Sequence, residues 1–218
     1  MADRRLPPVA RRAALAAILA AGAAGRVHAA GSAPALGPVA APAPAPAGLL
    51  AAVMARLATV QVSRARFTEQ KTLAALTLPL SSSGRLAYRR PDRLEKITDW
   101  PRPEVLVVRG HALSLSIDGG PPETLDLAAR PEIGALVEAI LGTLAGDLPG
   151  LRRWYHVAAA GAPDGWHLTL TPRADALARL VRRVTIAGVD DGTGARIDRI
   201  TTEAANGDRT VMTIRPAG

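Results

Sequence analysis

The stretch that decides the fold is "SGRLAYRRPDRLE", residues 83–95, which contains one strand that ends before Pro91 and the start of a second strand. Successive side chains of a strand point to opposite faces, so Leu86, Tyr88 and Arg90 share one face. That face is apolar until it ends in an arginine. Because a buried charge is costly without a partner, Arg90 is predicted either to reach water at the sheet edge or to point into a cavity and be paired there.

Alternation with a period of two recurs along most of the chain. It predicts eleven strands, at about residues 65–71, 84–90, 93–99, 105–109, 111–117, 124–127, 155–160, 166–171, 181–187, 196–203 and 210–214. Turns as short as "DGG" (118–120) and "NGD" (206–208) join antiparallel neighbours, because parallel strands need long crossovers. A sheet this large twists and curls, so we predict a mainly β, α+β fold built on an unclosed antiparallel β-barrel of about eleven strands.

Helical spacing interrupts the strands in a few places. One apolar stripe runs from Leu49 to Val60, and a second runs from Ile133 to Leu144, after a proline suited to a helix start. Asp147 is a predicted N-cap of a shorter third helix, and a turn of helix is possible near residues 174–180. These helices are predicted to lie against one face of the sheet.

The chain is predicted to begin with an export signal. Four arginines precede the apolar run "AALAAILAAGAA" (13–24), and small residues follow up to Ala29. We therefore predict a signal peptide over residues 1–29, removed near Ala29 by ordinary secretion rather than the twin-arginine route, an Ala/Pro-rich disordered linker over residues 30–48, and one domain over residues 49–218. The mature protein is expected in the periplasm.

The amino-acid composition excludes several kinds of functional site. There is no cysteine, so neither disulfides nor thiolate metal sites nor a lipid-bearing cysteine are possible. The leader holds five of the 27 basic and one of the 19 acidic residues, which leaves a net charge near +4. That mild charge, together with export, argues against a nucleic-acid partner, and any membrane contact is expected to be transient.

Catalytic patterns are not found. The three histidines after the leader, His111, His156 and His167, do not share metal-ligand spacing. The serines at 81–83 lack the strand-to-helix turn of a nucleophile elbow, and no phosphate-binding glycine loop is present. We therefore expect no enzyme activity, no metal and no cofactor.

A large curled sheet can enclose a ligand cavity. The alternation places a set of apolar side chains on its inner face: Leu86, Tyr88, Val105, Val107, Leu113, Leu115 and Ile117. Only six residues in the chain are aromatic, so the lining would be mainly aliphatic. Such a lining suits acyl chains better than flat ring ligands.

Five segments occur in an order and at spacings that resemble one family. They are "RFTEQKTL" (66–73), "SSGRLAYRRPDRLE" (82–95), "PEVLVVRGHALSL" (103–115), "GDLPGLRRWYHV" (146–157) and "WHLTLTP" (166–172). Together they resemble the periplasmic outer-membrane lipoprotein carriers of the LolA type, over essentially residues 49–214.

The resemblance implies a helical lid over an apolar cavity that accepts the acyl chains of a lipoprotein or a related lipid. The lid would add Ile133, Leu136, Val137, Ile140 and Leu144 to the cargo-binding cavity. The arginine directly before a proline is implied to bond the lid as a latch, and that position here is Arg90. A carrier of this type is expected to be a monomer and implies an inner-membrane donor complex and an outer-membrane acceptor.

Three alternatives stay open at this point. Arg90 could form a salt bridge with an acid at the sheet rim. The helix over residues 133–144 could seal an ordinary filled core. The domain could be a non-transporting sensor or adaptor that binds a lipidated ligand or a protein partner on the same scaffold.

Overall fold

The computed structural model describes residues 48–217. The predicted signal peptide and, apart from Gly48, the predicted linker lie outside this range. Within it, the chain forms four helices and eleven strands, in the order α1 (Leu49–Leu57), β1 (Val62–Thr72), β2 (Leu80–Arg89), β3 (Arg93–Trp100), β4 (Glu104–Arg109), β5 (Ala112–Ile117), β6 (Glu123–Asp126), α2 (Pro131–Ala145), α3 (Leu148–Trp154), β7 (Tyr155–Ala162), β8 (Gly165–Pro172), α4 (Asp175–Ala178), β9 (Val181–Asp190), β10 (Ala195–Ala204) and β11 (Arg209–Pro216).

All eleven strands belong to one antiparallel sheet. Their order is β6-β5-β4-β3-β2-β1-β11-β10-β9-β8-β7, so the first and last strands of the chain pair with each other at the centre of the sheet. The two edge strands, β6 and β7, are not paired with each other, which leaves the barrel open. The predicted fold class and strand number are confirmed.

Helix α2 connects the two halves of the core. One side of it contributes Ile133, Val137 and Leu141 to a cluster with Tyr88 and the apolar residues of β4 and β5. Another side contributes Ala135, Leu136 and Ala139 to a larger cluster with α1 and strands β7–β10. An apolar stripe this wide is expected of a helix that lies on a curved sheet rather than along one seam.

The shorter helices begin where the sequence predicts. Asp147 caps α3, because its carboxylate accepts a hydrogen bond of 2.9 Å from the backbone N–H of Gly150. Helix α4 is a single turn that packs Leu177 into the core. No helix within residues 48–217 has the length and apolar character needed to cross a membrane.

Candidate functional site

An apolar cavity of about 160 Å³ lies between the helices and the inner face of the sheet. Its roof comes from the end of α1 and from α2, through Leu57, Val137, Ile140 and Leu144. Its walls come from the central strands β1–β4, β10 and β11. The interior is therefore not completely filled by side chains, and the unfilled part is lined mainly by aliphatic groups.

The predicted cavity residues fall into three groups. Five of them line the cavity: Leu86, Tyr88, Val137, Ile140 and Leu144. Five others lie in the packed core beside it, four of them buried and the last partly buried: Leu113, Leu115, Ile133, Leu136 and Ile117. The remaining two, Val105 and Val107, lie on the other face of the sheet.

The placement of Val105 and Val107 in the cavity was therefore wrong. Val105 is 40% exposed, whereas Leu106 and Val108 are buried and line the cavity. Four consecutive apolar residues in "VLVV" give no alternation from which the inward face can be read. The buried neighbour Glu104 adds to the difficulty, because a charged residue is normally taken to mark the outer face.

The part of the cavity wall that β10 and β11 form was not predicted from the sequence. Met212 and Ile214 of β11 line the cavity, as do Ile197 and Ile200 of β10. The β11 pair alternates in the ordinary way and was available as a signal. The β10 pair was not, because the pairing with β9 shifts its register between Ile197 and Arg199, so residues three apart share the inner face.

Arg90 ties two helix ends together. Its Nη1 donates hydrogen bonds of 2.8 Å to the backbone oxygen of Ala58, which follows α1, and of 2.9 Å to that of Ala145, the last residue of α2. The last carbonyls of a helix have no partner within the helix and carry partial negative charge. A guanidinium is thus well suited to hold both ends at once.

The two helix ends also approach each other closely. Gly146 ends α2 in the left-handed conformation, with φ of 67°, and lies against the backbone of α1. A Cβ added at this position would overlap the carbonyl oxygen of Met54 and come within 2.7 Å of the Cβ of Ala58. Only glycine fits both the conformation and the space.

Helix α2 is held more firmly on its other side. The buried hydroxyl of Tyr155 donates a hydrogen bond of 2.8 Å to the backbone oxygen of Ala135. Burial raises the pKa of Tyr155, so the phenol remains protonated and keeps this donor at all ordinary pH values. The side of α2 that faces strands β7–β9 is therefore held by this hydrogen bond. On the cavity side, Val137, Ile140 and Leu144 border the unfilled space.

The ionised form of Glu138, on α2, is destabilised by its surroundings. Burial raises the pKa of its carboxyl, Asp147 raises it further, and Arg153 partly opposes both. The folded protein thus holds the Glu138 proton more tightly than the unfolded chain does. Ionised Glu138 therefore costs stability once the pH exceeds the ordinary glutamate pKa of about 4.3.

Glu138→Gln is expected to raise the free energy of unfolding at pH 7, because the amide removes that cost while keeping the side-chain volume. The gain should shrink as the pH falls through the raised pKa, where Glu138 itself becomes protonated. Urea denaturation between pH 4 and pH 7 would measure it. The exposed residue Glu123 gives the control, since Glu123→Gln should change little; equal effects at both positions would contradict the assignment.

The described residues hold no grouped metal ligands. Within residues 48–217, no three His, Asp or Glu side chains are placed to bind one ion. His111 lies in the turn before β5, while His156 and His167 lie on β7 and β8. The cavity offers apolar burial beneath two helices that Arg90 joins, with the Lys96 side chain in its wall.

Comparison with known proteins gives the family. None of the curated proteins matches the sequence. Two solved structures are similar at 12% identity over 76% of this chain: a LolA superfamily protein from Nitrosomonas europaea (91% of that chain, TM-score 0.40) and a DUF1329 family protein from Desulfovibrio piger (88% of that chain, TM-score 0.43). The family profile described as "outer membrane lipoprotein carrier protein LolA-like" matches residues 40–214. The chain belongs to this LolA-like family.

Proposed function

We propose that this protein is an exported carrier that shields the acyl chains of lipoproteins, or of a related lipid, and delivers them towards the outer membrane. The observation that carries the proposal is the aliphatic cavity between the helices and the sheet. Membership of the LolA-like family supports it. The proposed role is binding and transfer, without catalysis and without a metal or cofactor.

The geometry fits a closed, unloaded form. Ligand pockets are commonly about 300–1,000 Å³, whereas this cavity is about 160 Å³. A full acyl chain would need more room, which an outward movement of α1 and the C-terminal end of α2 would supply. The tie through Arg90 is the contact that such a movement must break.

The free energy gained by burying an acyl chain is large enough to break the tie through Arg90. A hydrogen bond from a charged group contributes about 1.5–3 kcal/mol, and burying one methylene about 0.8 kcal/mol. Burying on the order of four to eight methylenes therefore offsets both hydrogen bonds of Arg90. One acyl chain is therefore enough to offset the loss of the tie through Arg90, and re-forming the tie favours release.

The proposal includes the location and the partners. The carrier would work as a monomer in the periplasm, after removal of the signal peptide near Ala29. It would receive cargo from an inner-membrane complex, pass it to an outer-membrane acceptor, and touch membranes only transiently.

Native mass spectrometry of the protein purified from periplasm tests the proposal. A stoichiometric diacylated or triacylated molecule bound to the protein is the expected result. A stable protein partner with no lipid would contradict the carrier and favour the sensor or adaptor role.

A cavity-filling variant makes the test specific to the site. Ile140→Trp should weaken the binding of a synthetic diacylated peptide by about tenfold, because an added ring in a confined space costs about 1–3 kcal/mol. Val105→Trp is the matched control, since Val105 is exposed on the outer face and its variant should bind normally. Normal binding by Ile140→Trp would place the cargo elsewhere.

A further inference from the structure

Five buried polar side chains lie together on the inner face of β1–β4. They are no more than about a tenth exposed and include three ionisable groups: Glu69, Ser82, Lys96, Thr98 and Glu104. Lys96 also lines the apolar cavity. Lys96 pairs with Leu86, four residues before Arg90, and Ser82 lies eight residues before Arg90, so the polar floor extends from about 13 to about 26 Å along the strand direction from the helix tie.

The contacts within the polar floor centre on one ion pair. Lys96 Nζ donates a hydrogen bond of 2.9 Å to Glu69 Oε2 and lies 5.0 Å from the centre of the Phe67 ring. The hydroxyl of Ser82 lies 3.4 Å from Glu69 Oε1. The lysine is thus held at the end of the cavity by a carboxylate and an aromatic face.

The polar floor contains hydrogen-bonding groups that the described residues do not fully use. An ammonium has three donors, and Glu69 is the one acceptor that Lys96 finds among residues 48–217. Glu104 accepts no hydrogen bond from a side chain in that same range, but its carboxylate oxygens are not fully enclosed and it lies beside the cavity rather than in its lining. Lys96 and Glu104 are diagonal neighbours on one face, since Lys96 pairs with Leu106, and of the two Lys96 is the one that lines the cavity.

A purely apolar cargo does not account for this arrangement. Replacing a buried ion pair by apolar residues of similar volume is often neutral or stabilising, by about 1–4 kcal/mol. An apolar floor would also bury the end of an alkyl chain better than an ammonium and two carboxylates do. The polar floor therefore has a reason other than holding a methyl-terminated chain.

We propose that the cavity selects chains that carry a neutral hydrogen-bonding group, such as a hydroxyl, at the inserted end. A hydroxyl at the cavity end accepts a hydrogen bond from Lys96, which uses a donor that the ammonium has left over. An anionic end is disfavoured, because the floor already holds two carboxylates against one ammonium. This inference rests on the proposed carrier function and names the class of chain.

Competition between two fatty acids tests the inference on the unaltered protein. Palmitic acid and its ω-hydroxy derivative would each displace the fluorescent fatty acid cis-parinaric acid. The ω-hydroxy chain is expected to bind about tenfold more tightly, the effect of one added hydrogen bond to a charged group. Equal affinity, or tighter binding of palmitic acid, would overturn the inference and leave the carrier intact. Binding of neither chain would contradict both.

A double variant assigns the preference to the polar floor. Lys96→Met combined with Glu69→Leu removes both partners of the buried pair without leaving either one alone. The ω-hydroxy preference should then disappear while palmitic acid still binds. The matched control is Arg85→Met combined with Asp99→Leu, an exposed ion pair of 3.0 Å on the outer face of β2 and β3. A preference that survives in the first double variant would overturn the role of these residues.

Discussion

Arg90→Leu is expected to leave the fold intact, to tighten cargo binding and to prevent efficient hand-over. The two hydrogen bonds from Arg90 to the ends of α1 and α2 belong to the closed form, which we assign as the unloaded one. Every contact made only in the unloaded form opposes binding, so its loss favours the loaded form. The affinity for a diacylated peptide should rise by at least roughly 100-fold, because the two hydrogen bonds together contribute about 3–6 kcal/mol.

Dissociation of a fluorescent diacylated peptide into acceptor vesicles would measure the effect of Arg90→Leu. Arg89→Leu is the control, because Arg89 is the preceding residue, at the end of β2, and its side chain is exposed on the other face. The control should bind and release normally. Unchanged affinity and normal transfer in Arg90→Leu would remove Arg90 from the mechanism and leave its hydrogen bonds with a purely structural role.

Gly146→Ala is expected to lower the free energy of unfolding by about 2–5 kcal/mol. Two costs add at this position. The left-handed conformation of Gly146 disfavours any residue with a Cβ, by about 1–2 kcal/mol. The added methyl group also overlaps the backbone of α1, so the end of α2 must move away from it. That movement would lengthen the hydrogen bonds of Arg90 as well, and the variant should resemble a carrier with a weakened latch.

The two costs can be separated by a second glycine. Gly119 has a similar φ of 71°, and a Cβ added there would meet nothing within 4 Å. Gly119→Ala should therefore show only the conformational cost of about 1–2 kcal/mol. Urea denaturation of both variants gives the comparison. Equal losses at the two positions would mean that the close approach of α1 and α2 contributes nothing to stability.

The sequence was sufficient for the architecture. Eleven alternating segments and the short turns between them predict an antiparallel sheet that is too large to stay flat, and one open eleven-stranded sheet is found. The N-cap at Asp147 was also predictable, because it depends on a few neighbouring residues. These features are local, and local patterns are what a sequence records directly.

The position of Arg90 on the inner face of the sheet was predictable for the same reason. It follows from counting along "RLAYRR", residues 85–90, where Arg85 and Arg89 mark the outer face and Leu86 and Tyr88 the inner one. The identity of its partners was not readable, because Ala58 and Ala145 are alanines whose backbone oxygens carry the interaction. A pattern of side chains does not indicate which backbone oxygen will accept a hydrogen bond.

Only the tertiary structure decided which residues face the cavity. The phase of β4 depends on pairing with β3, since "VLVV" is apolar on both faces, and the inward pair on β10 depends on a shift in its pairing with β9. The polar floor is likewise a product of four strands in register, because Glu69, Lys96 and Glu104 are far apart in the chain. Alternation fixes a face within one strand, whereas the meeting of faces is set by long-range pairing and by the helices packed above them.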